Sequence, residues 1–484
     1  MSAAADSGKR DRDQQARGAS SGGEPKPRDP SALPPAPHSP EESEEKQRRR
    51  IKALVRDYCT DHKQKRAPFR PGETAVPYGG RVFDADEMES LVDAALDFWL
   101  TAGPLAERFE ARCAAWQGVG HALLVNSGSS ALLLAVMALA DRSLGNRRLA
   151  PGDEVITAAM GFPTTVAPIV MAGAVPVFVD VTLPFYNPTV EAVRSAITPR
   201  TRAIVLAHAL GNPFDARGLR DLAEERGIWL IEDNCDALGS RLGGRLTGTF
   251  GHLATLSFFA SHHMTMGEGG AVITDDGELA EIVRSLRDWG RDCVCPPGRE
   301  NTCGERFVRQ DGSLPFGYDH KYVYARLGFN LKITDLQAAV GLAQIEKLDR
   351  FVAARRANYR RLAKALARLS DEVILPRATP GSEPSWFGFP ITLRAGVGVS
   401  RRQVVTALEE RKIATRMLLA GNLARQPAFE GVRYRVAGSL DCTDRIMKHA
   451  FWVGVYPGIT AEMCDYLARS IVEVVRAAGG ADAQ

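Results

Sequence analysis

The 484-residue sequence has no uncharged apolar run long enough to span a bilayer, which argues against a helical membrane protein. Its opening residues, MSAAADSGKRDRDQQ, contain no apolar stretch of the kind a secretory leader needs. A dominant charge is missing too: 61 Lys and Arg stand against 58 Asp and Glu, a net +3. That balance calls for neither nucleic acid nor an anionic membrane as partner. Cysteine is sparse, with eight in the chain, and makes no disulfide framework. These absences lead to the expectation of a cytoplasmic protein. No internal repeat is visible.

Hydrophobic residues make up 45% of the chain, enough for one large and one small domain. Residues 1–45 are rich in Pro, Ser, Gly and charge (GASSGGEPKPRDPSALPPAPHSPEES) and are expected to be a disordered tail. EESEEKQRRRIKALVRDYCTDH and EMESLVDAALDFWL read as helices. HALLVNSGSSALLLAVMALA then reads as strand, tight turn and helix. DEVITAA, VPVFVDV, RAIVLAH and IWLIEDN are apolar enough to be strands buried on both faces. Alternation of such strands with helices implies an α/β domain with a mainly parallel sheet over about residues 46–345. The glycine-rich stretch between Arg291 and Gly328 reads as an irregular insertion. After Thr334 one long helix is expected to link to a smaller α+β domain, the two together filling 346–484.

Several short motifs invite a cofactor. Asn126 to Ser130 precede an apolar helix, where backbone N–H groups and hydroxyls could cradle a phosphate; a serine N-cap explains them equally. Phe162, in GFPTT after a strand, could stack on a flat ring or simply pack in the core. Asp233 ends the strand IWLIED, where α/β sheets collect functional groups; a strand-end cap is the plainer role. Cys235, Cys293, Cys295 and Cys303 follow a C-x57-C-x-C-x7-C spacing. Converging thiolates would suit zinc or a [2Fe–2S] cluster, and four unrelated thiols remain open. Cys59, Cys113, Cys442 and Cys464 stand alone and read as ordinary small residues.

In this order, and with the loop SFFASHHMTMGEGG (Ser257–Gly270), the chain from about Arg70 onward resembles the DegT/DnrJ/EryC1/StrS sugar aminotransferases. The resemblance implies the type I, aspartate aminotransferase fold of pyridoxal-phosphate-dependent transferases. It implies that Gly128, Ser129 and Ser257 bind the cofactor phosphate, that Phe162 lies on the ring and that Asp233 meets its nitrogen. Asn330, in LGFNLKITDLQAAVG, matches a residue that reaches the phosphate in a neighbouring subunit, which implies a homodimer.

The loop departs from the family where the covalent lysine stands: the residue there is His262. Imidazole cannot form the Schiff base, but it can carry protons. The same change, together with the cysteine spacing and blocks such as SHHMTMGEGGAV and RDCVCPPGRENTCGERF, is similar to one branch of the family. This is the branch of iron–sulfur 3-dehydrases of nucleotide-linked 4-keto-6-deoxyhexoses (CDP-4-dehydro-6-deoxyglucose 3-dehydrase-like). That resemblance implies C3 deoxygenation with pyridoxamine or pyridoxal 5′-phosphate. His262 would be the catalytic base, and a [2Fe–2S] cluster on Cys235, Cys293, Cys295 and Cys303 would relay electrons from a flavin- or ferredoxin-type reductase. Three alternatives stay open: a cluster-free dehydratase regenerated by glutamate, an aminotransferase using another lysine such as Lys332, and a non-catalytic, zinc-bearing binding protein.

Overall fold

The computed structural model describes residues 40–63, 68–296 and 298–479. Two units make up the chain, Met1–Arg49 and Arg50–Gln484. In the first, the described residues are the start of helix α1 (Pro40–Lys63), which overlaps the end of the expected tail; residues 1–39 of that tail lie outside the described residues.

Arg50–Gln484 are built round an eight-stranded sheet. Its strands are β1 (His121–Val125), β2 (Glu154–Ala158), β3 (Val175–Val179), β4 (Thr201–Ala207), β5 (Trp229–Asp233), β6 (Leu253–Ser257), β7 (Gly270–Thr274) and the two-residue β11 (Arg435–Val436). Their spatial order is β1-β7-β6-β5-β4-β2-β3-β11. The pairings from β6 across to β11 are parallel, while β7 runs antiparallel to both β1 and β6. All five residues of β3, β5, β6 and β7 are buried, as strands covered on both faces must be. Helices α4 (Gly128–Leu139), α5 (Pro163–Met171), α6 (Val190–Ala196) and α7 (Ala216–Arg226) connect successive parallel strands, and α8 (Gly277–Arg287) follows β7. Every strand expected from the sequence in this region is present.

Two helices depart from expectation. The second helix, α2 (Ala85–Asp97), stops before Phe98, which takes a left-handed conformation at φ 52°. Beyond it Trp99 folds back to donate to the Ala102 carbonyl at 3.1 Å, over Gly103, where a Cβ would strike the indole. The long helix expected after Thr334 is two: α9 (Asp335–Ile345) and α10 (Leu348–Leu366). The break falls at Lys347, whose ammonium is drawn to Asp84 at 2.5 Å and to Glu87 at 2.8 Å, in the capping box of α2.

Past α10, a second sheet of β8 (Val373–Ile374), β9 (Gly388–Leu393), β10 (Thr415–Arg416) and β12 (Ala450–Gly454) is ordered β8-β9-β12-β10. With α11 (Arg401–Glu410), α12 (Asp441–His449) and α13 (Ala461–Gly479) it supplies the α+β part, and its own apolar core includes Phe389, Ile391, Phe451 and Leu467. The expected division at 345/346 coincides with the α9–α10 break, yet Arg50–Gln484 hold together as one unit.

Asp335 shows how the first turn of α9 ties distant elements. Its buried carboxylate accepts from the backbone N–H of Gly103 at 2.7 Å and of Leu105 and Ala106 at 3.0 Å each, capping α3 (Pro104–Gln117). Gly103 at that cap has no capping side chain of its own. Replacing Asp335 by Ala strands buried donors and is expected to destabilise the protein by about 2–4 kcal/mol, read from urea denaturation.

Candidate active site

A cavity of about 660 Å³ opens at the carboxyl ends of the central parallel strands, where β1, β4, β5 and β6 deliver their following turns. At one end lies the start of α4. Ser127 caps that helix by accepting from the Ser130 N–H at 3.1 Å, so the serine cap foreseen in the sequence is real. Ser127, Gly128 and Ser129 nevertheless also line the cavity, facing Ser257 at the end of β6. Close approach explains the glycine: a Cβ on Gly128 would fall 2.5 Å from the Ser257 Cβ and 3.2 Å from the Cys235 Sγ. Free helix N–H groups and hydroxyls in one place suit a phosphate.

Asp233, the last residue of β5 and 5% exposed, lines the same cavity. One oxygen accepts from the Thr165 hydroxyl at 2.6 Å and the other from the Cys235 N–H at 3.2 Å. The carboxylate is thus aimed by two donors from different elements. Phe162, 53% exposed, leads into α5 and also lines the cavity. An aromatic face, a fixed carboxylate and a phosphate cradle lining one cavity suit a flat, phosphorylated pyridine.

His262 lines the same cavity. Its Nδ1 lies 2.8 Å from the Cys235 carbonyl oxygen, so Nδ1 carries the proton and donates it. The Nε2 lone pair is thereby free. Burial pulls the imidazole down to about 4, so it is neutral at physiological pH. His263 donates from Nε2 to the Ser385 carbonyl at 2.7 Å and does not line the cavity. No lysine is among the residues lining the cavity. Lys332 is held elsewhere, 2.5 Å from Asp288 and over the Trp289 ring.

Sequence reasoning missed several contributors. Arg355, fully enclosed on α10, donates to the His262 carbonyl at 3.0 Å and to the Trp386 and Phe387 carbonyls at 3.2 and 3.3 Å. It fixes the backbone that carries His262. Burial lowers this guanidinium to about 9. Burial, reinforced by Asp233, raises the Asp236 carboxyl to about 7. Tyr78 and Arg416 also line the cavity, the guanidinium 3.8 Å from the ring centroid. No local motif marks Arg355 or Arg416, because strands and helices far along the chain carry them in.

Asn330 is exposed and is not among the residues lining this cavity. The four cysteines divide. Cys295 and Cys303 lie with sulfurs 3.7 Å apart; these two and Cys293 line one small cavity. A hydrogen bond from Thr302 helps hold the Cys295 thiol at about 6, while burial raises Cys293. Cys235 lies in the large cavity, its sulfur 3.8 Å from the Thr255 hydroxyl. Burial and the neighbouring Asp233 push its thiol well up, an environment that opposes a thiolate. Among the described residues, no group of three or more His, Cys, Asp or Glu is already drawn up round a single metal position.

Comparison with known proteins adds to this geometry. The family model for DegT/DnrJ/EryC1/StrS aminotransferases matches residues 82–472. The chain is 54% identical over 427 residues to dTDP-4-dehydro-2,6-dideoxy-D-glucose 3-dehydratase of Saccharopolyspora spinosa, covering 88% of this chain and 92% of that one. It is 52% identical over 426 residues to lipopolysaccharide biosynthesis protein RfbH of Salmonella typhimurium, covering 88% and 97%. A solved structure of E. coli GDP-4-keto-6-deoxy-D-mannose-3-dehydratase with bound hydrated PLP superposes with a TM-score of 0.74 at 28% identity, over 82% of this chain and 99% of that one. The expected fold is the one these neighbours have.

The tight Gly128–Ser257 approach yields a direct expectation. Gly128→Ala should weaken pyridoxal phosphate binding about tenfold or more in an absorbance titration, because the added methyl drives Ser257 out of the cradle.

Proposed function

The chain belongs to the DegT/DnrJ/EryC1/StrS aminotransferase family, and we propose that it is a 3-dehydrase of a nucleotide-linked 4-keto-6-deoxyhexose in deoxysugar biosynthesis. The reading assigns it pyridoxamine or pyridoxal 5′-phosphate, a [2Fe–2S] cluster on Cys235, Cys293, Cys295 and Cys303, and a separate flavin- or ferredoxin-type reductase. The observation that carries it is His262: a neutral base with a fixed tautomer, in a cavity with no lysine lining it.

When bound, the cofactor supplies an amine for the sugar ketone and a ring that accepts electron density. Gly128, Ser129 and Ser257 would hold its phosphate, Phe162 its face and Asp233 its ring nitrogen. Asp233 keeps a proton at that nitrogen through its charge. His262 Nε2 takes and returns a proton beside the reacting carbon, and the Cys235 carbonyl supports the charge that forms on the ring. Arg416 is placed to meet the diphosphate of the nucleotide sugar at the outer side of the cavity. Exposed Asn330 fits the reading of a homodimer in which it reaches a neighbouring copy's cavity.

Replacing the C3 hydroxyl by hydrogen releases water and consumes two electrons and two protons. A thiol-lined cavity in the same chain supports an iron–sulfur route for those electrons. A cluster-free, glutamate-regenerated dehydratase is the second reading, favoured by the likeness to GDP-4-keto-6-deoxy-D-mannose-3-dehydratase.

His262→Asn keeps a donor for the Cys235 carbonyl and removes the base. It should lower kcat for dehydration by about 10²–10⁴-fold while cofactor and substrate affinity stay near wild type. Wild-type turnover in the variant would refute the assignment. In the pH profile of kcat/KM, activity requires neutral His262 and is lost on acidification. Since the folded value lies near 4 and below the ordinary 6.5, the acid limb of His262 should fall near 4, with no loss from this group at pH 6.

A further inference from the structure

The loop that carries His262 closes on itself where the Met266 N–H donates to the Phe258 carbonyl at 2.8 Å. Its tip is also tied to elements far along the chain. The Thr265 N–H donates to the Gln344 side chain on α9 at 3.1 Å. Arg355 on α10 donates to the His262 carbonyl at 3.0 Å. His263, 2% exposed, donates from Nε2 to the Ser385 carbonyl at 2.7 Å. That carbonyl is the first of three in a row held from this side, since those of Trp386 and Phe387 accept from Arg355 at 3.2 and 3.3 Å. The Phe387 ring then packs 5.0 Å from the His262 ring and 6.3 Å from the His263 ring.

Ser385 to Phe387 lead straight into β9, an inner strand of the second sheet. The same sheet carries Arg416 on β10 and Trp452 on β12, both of which line the large cavity. His263 therefore joins the loop of His262 to the frame that presents those two side chains. Its other nitrogen has a separate task. With Nε2 committed as donor, and burial holding the imidazole well below its ordinary value, Nδ1 is an acceptor. That nitrogen is buried and takes no hydrogen bond from the described residues. His263 is also in the wall of a cavity of about 10 Å³, together with Thr265, Gln344 and Gly80 to Val82. Such a space has room for one water. The Thr265 hydroxyl accepts from the Gly267 N–H at 2.9 Å and has its own proton to give. An unpaired buried acceptor is costly, and a water with two or more polar partners removes the cost.

We propose that His263 is a positioning residue for the base: its Nε2–H fastens the His262 loop to Ser385, and its Nδ1 holds one buried water. A single fastening at the His262 carbonyl would let the loop tip turn about the Arg355 guanidinium. A second, one residue along and on a carbonyl of the same Ser385–Phe387 stretch, removes that freedom. The water occupies the space behind the tip into which it would otherwise turn. Proton transfer needs the base within hydrogen-bond reach of the reacting carbon, so a small swing of the ring is expensive in rate. The inference rests on the reading of His262 as the base, and its test separates the two.

Full-length wild type, His263→Gln and His263→Asn would be compared in kinetics and in crystal structures at high resolution. The Gln amide reaches about as far as Nε2 and can still donate to Ser385; the Asn amide stops near the position of Nδ1. H263Q should keep kcat for dehydration within about threefold of wild type, while H263N should lower it about 10–100-fold with KM and cofactor affinity little changed. In the H263N structure the His262 Nδ1 should stand more than about 3.5 Å from the Cys235 carbonyl oxygen, beyond hydrogen-bond reach. The wild-type structure should show a water within about 3.2 Å of His263 Nδ1. That observation needs no variant, so it keeps the test decisive if substitution here impairs folding. A dry Nδ1, equal losses in the two variants, or H263N with wild-type kcat and an unmoved His262 would each overturn the proposal. Wild type that turns over no nucleotide-linked 4-keto-6-deoxyhexose would overturn the dehydrase reading instead, and the position of His262 in H263N would still decide the fastening.

Discussion

The site depends on the hydrogen bond from His262 Nδ1 to the Cys235 carbonyl. It spans two turns that leave the sheet from adjacent parallel strands, β5 and β6. On the β5 side, the same few residues aim Asp233 through the Cys235 N–H. On the β6 side, Ser257 and His262 occupy one loop, anchored from behind by Arg355. A single backbone carbonyl therefore sets the tautomer of His262 and registers it against Asp233, in the proposed reading the base and the carboxylate for the cofactor ring. A lysine at position 262 would have neither the fixed tautomer nor a ring that can be held this way, and its amine would compete for the cofactor.

Much of this was legible along the chain. The strands were readable because each is an apolar run bounded by turn residues, and the sheet they form is buried on both faces. Ser127 to Ser129, Phe162, Asp233, Ser257 and His262 do meet in one cavity, as their order in the sequence suggested. What was not legible depends on distant partners. The α9–α10 break is made by Lys347 reaching Asp84 and Glu87, more than two hundred residues away. Arg355 shows no motif because it works through the His262 backbone. Spacing groups Cys235 with the other cysteines but does not show that Cys235 lines the large cavity while Cys293, Cys295 and Cys303 line a small one.

Two chemistries occupy separate pockets in this reading. The large cavity has buried, neutral or paired groups that hold and move protons, with His262 at about 4 and Asp236 at about 7. The small one collects thiols beside Arg299 and the ion-paired Glu300, Arg306 and Lys321. There the Cys295 thiol is held at about 6 while burial raises Cys293, and in the large cavity burial raises Cys235.

The most direct test is the electron source for loss of the C3 hydroxyl. Protein supplied with pyridoxamine phosphate and a nucleotide-linked 4-keto-6-deoxyhexose would be assayed for 3-deoxy sugar, with a reductant alone and with glutamate alone, before and after removal of iron. The account predicts product only from the iron-loaded protein with reductant, and no response to glutamate. Sustained turnover of iron-free protein driven by glutamate would contradict it.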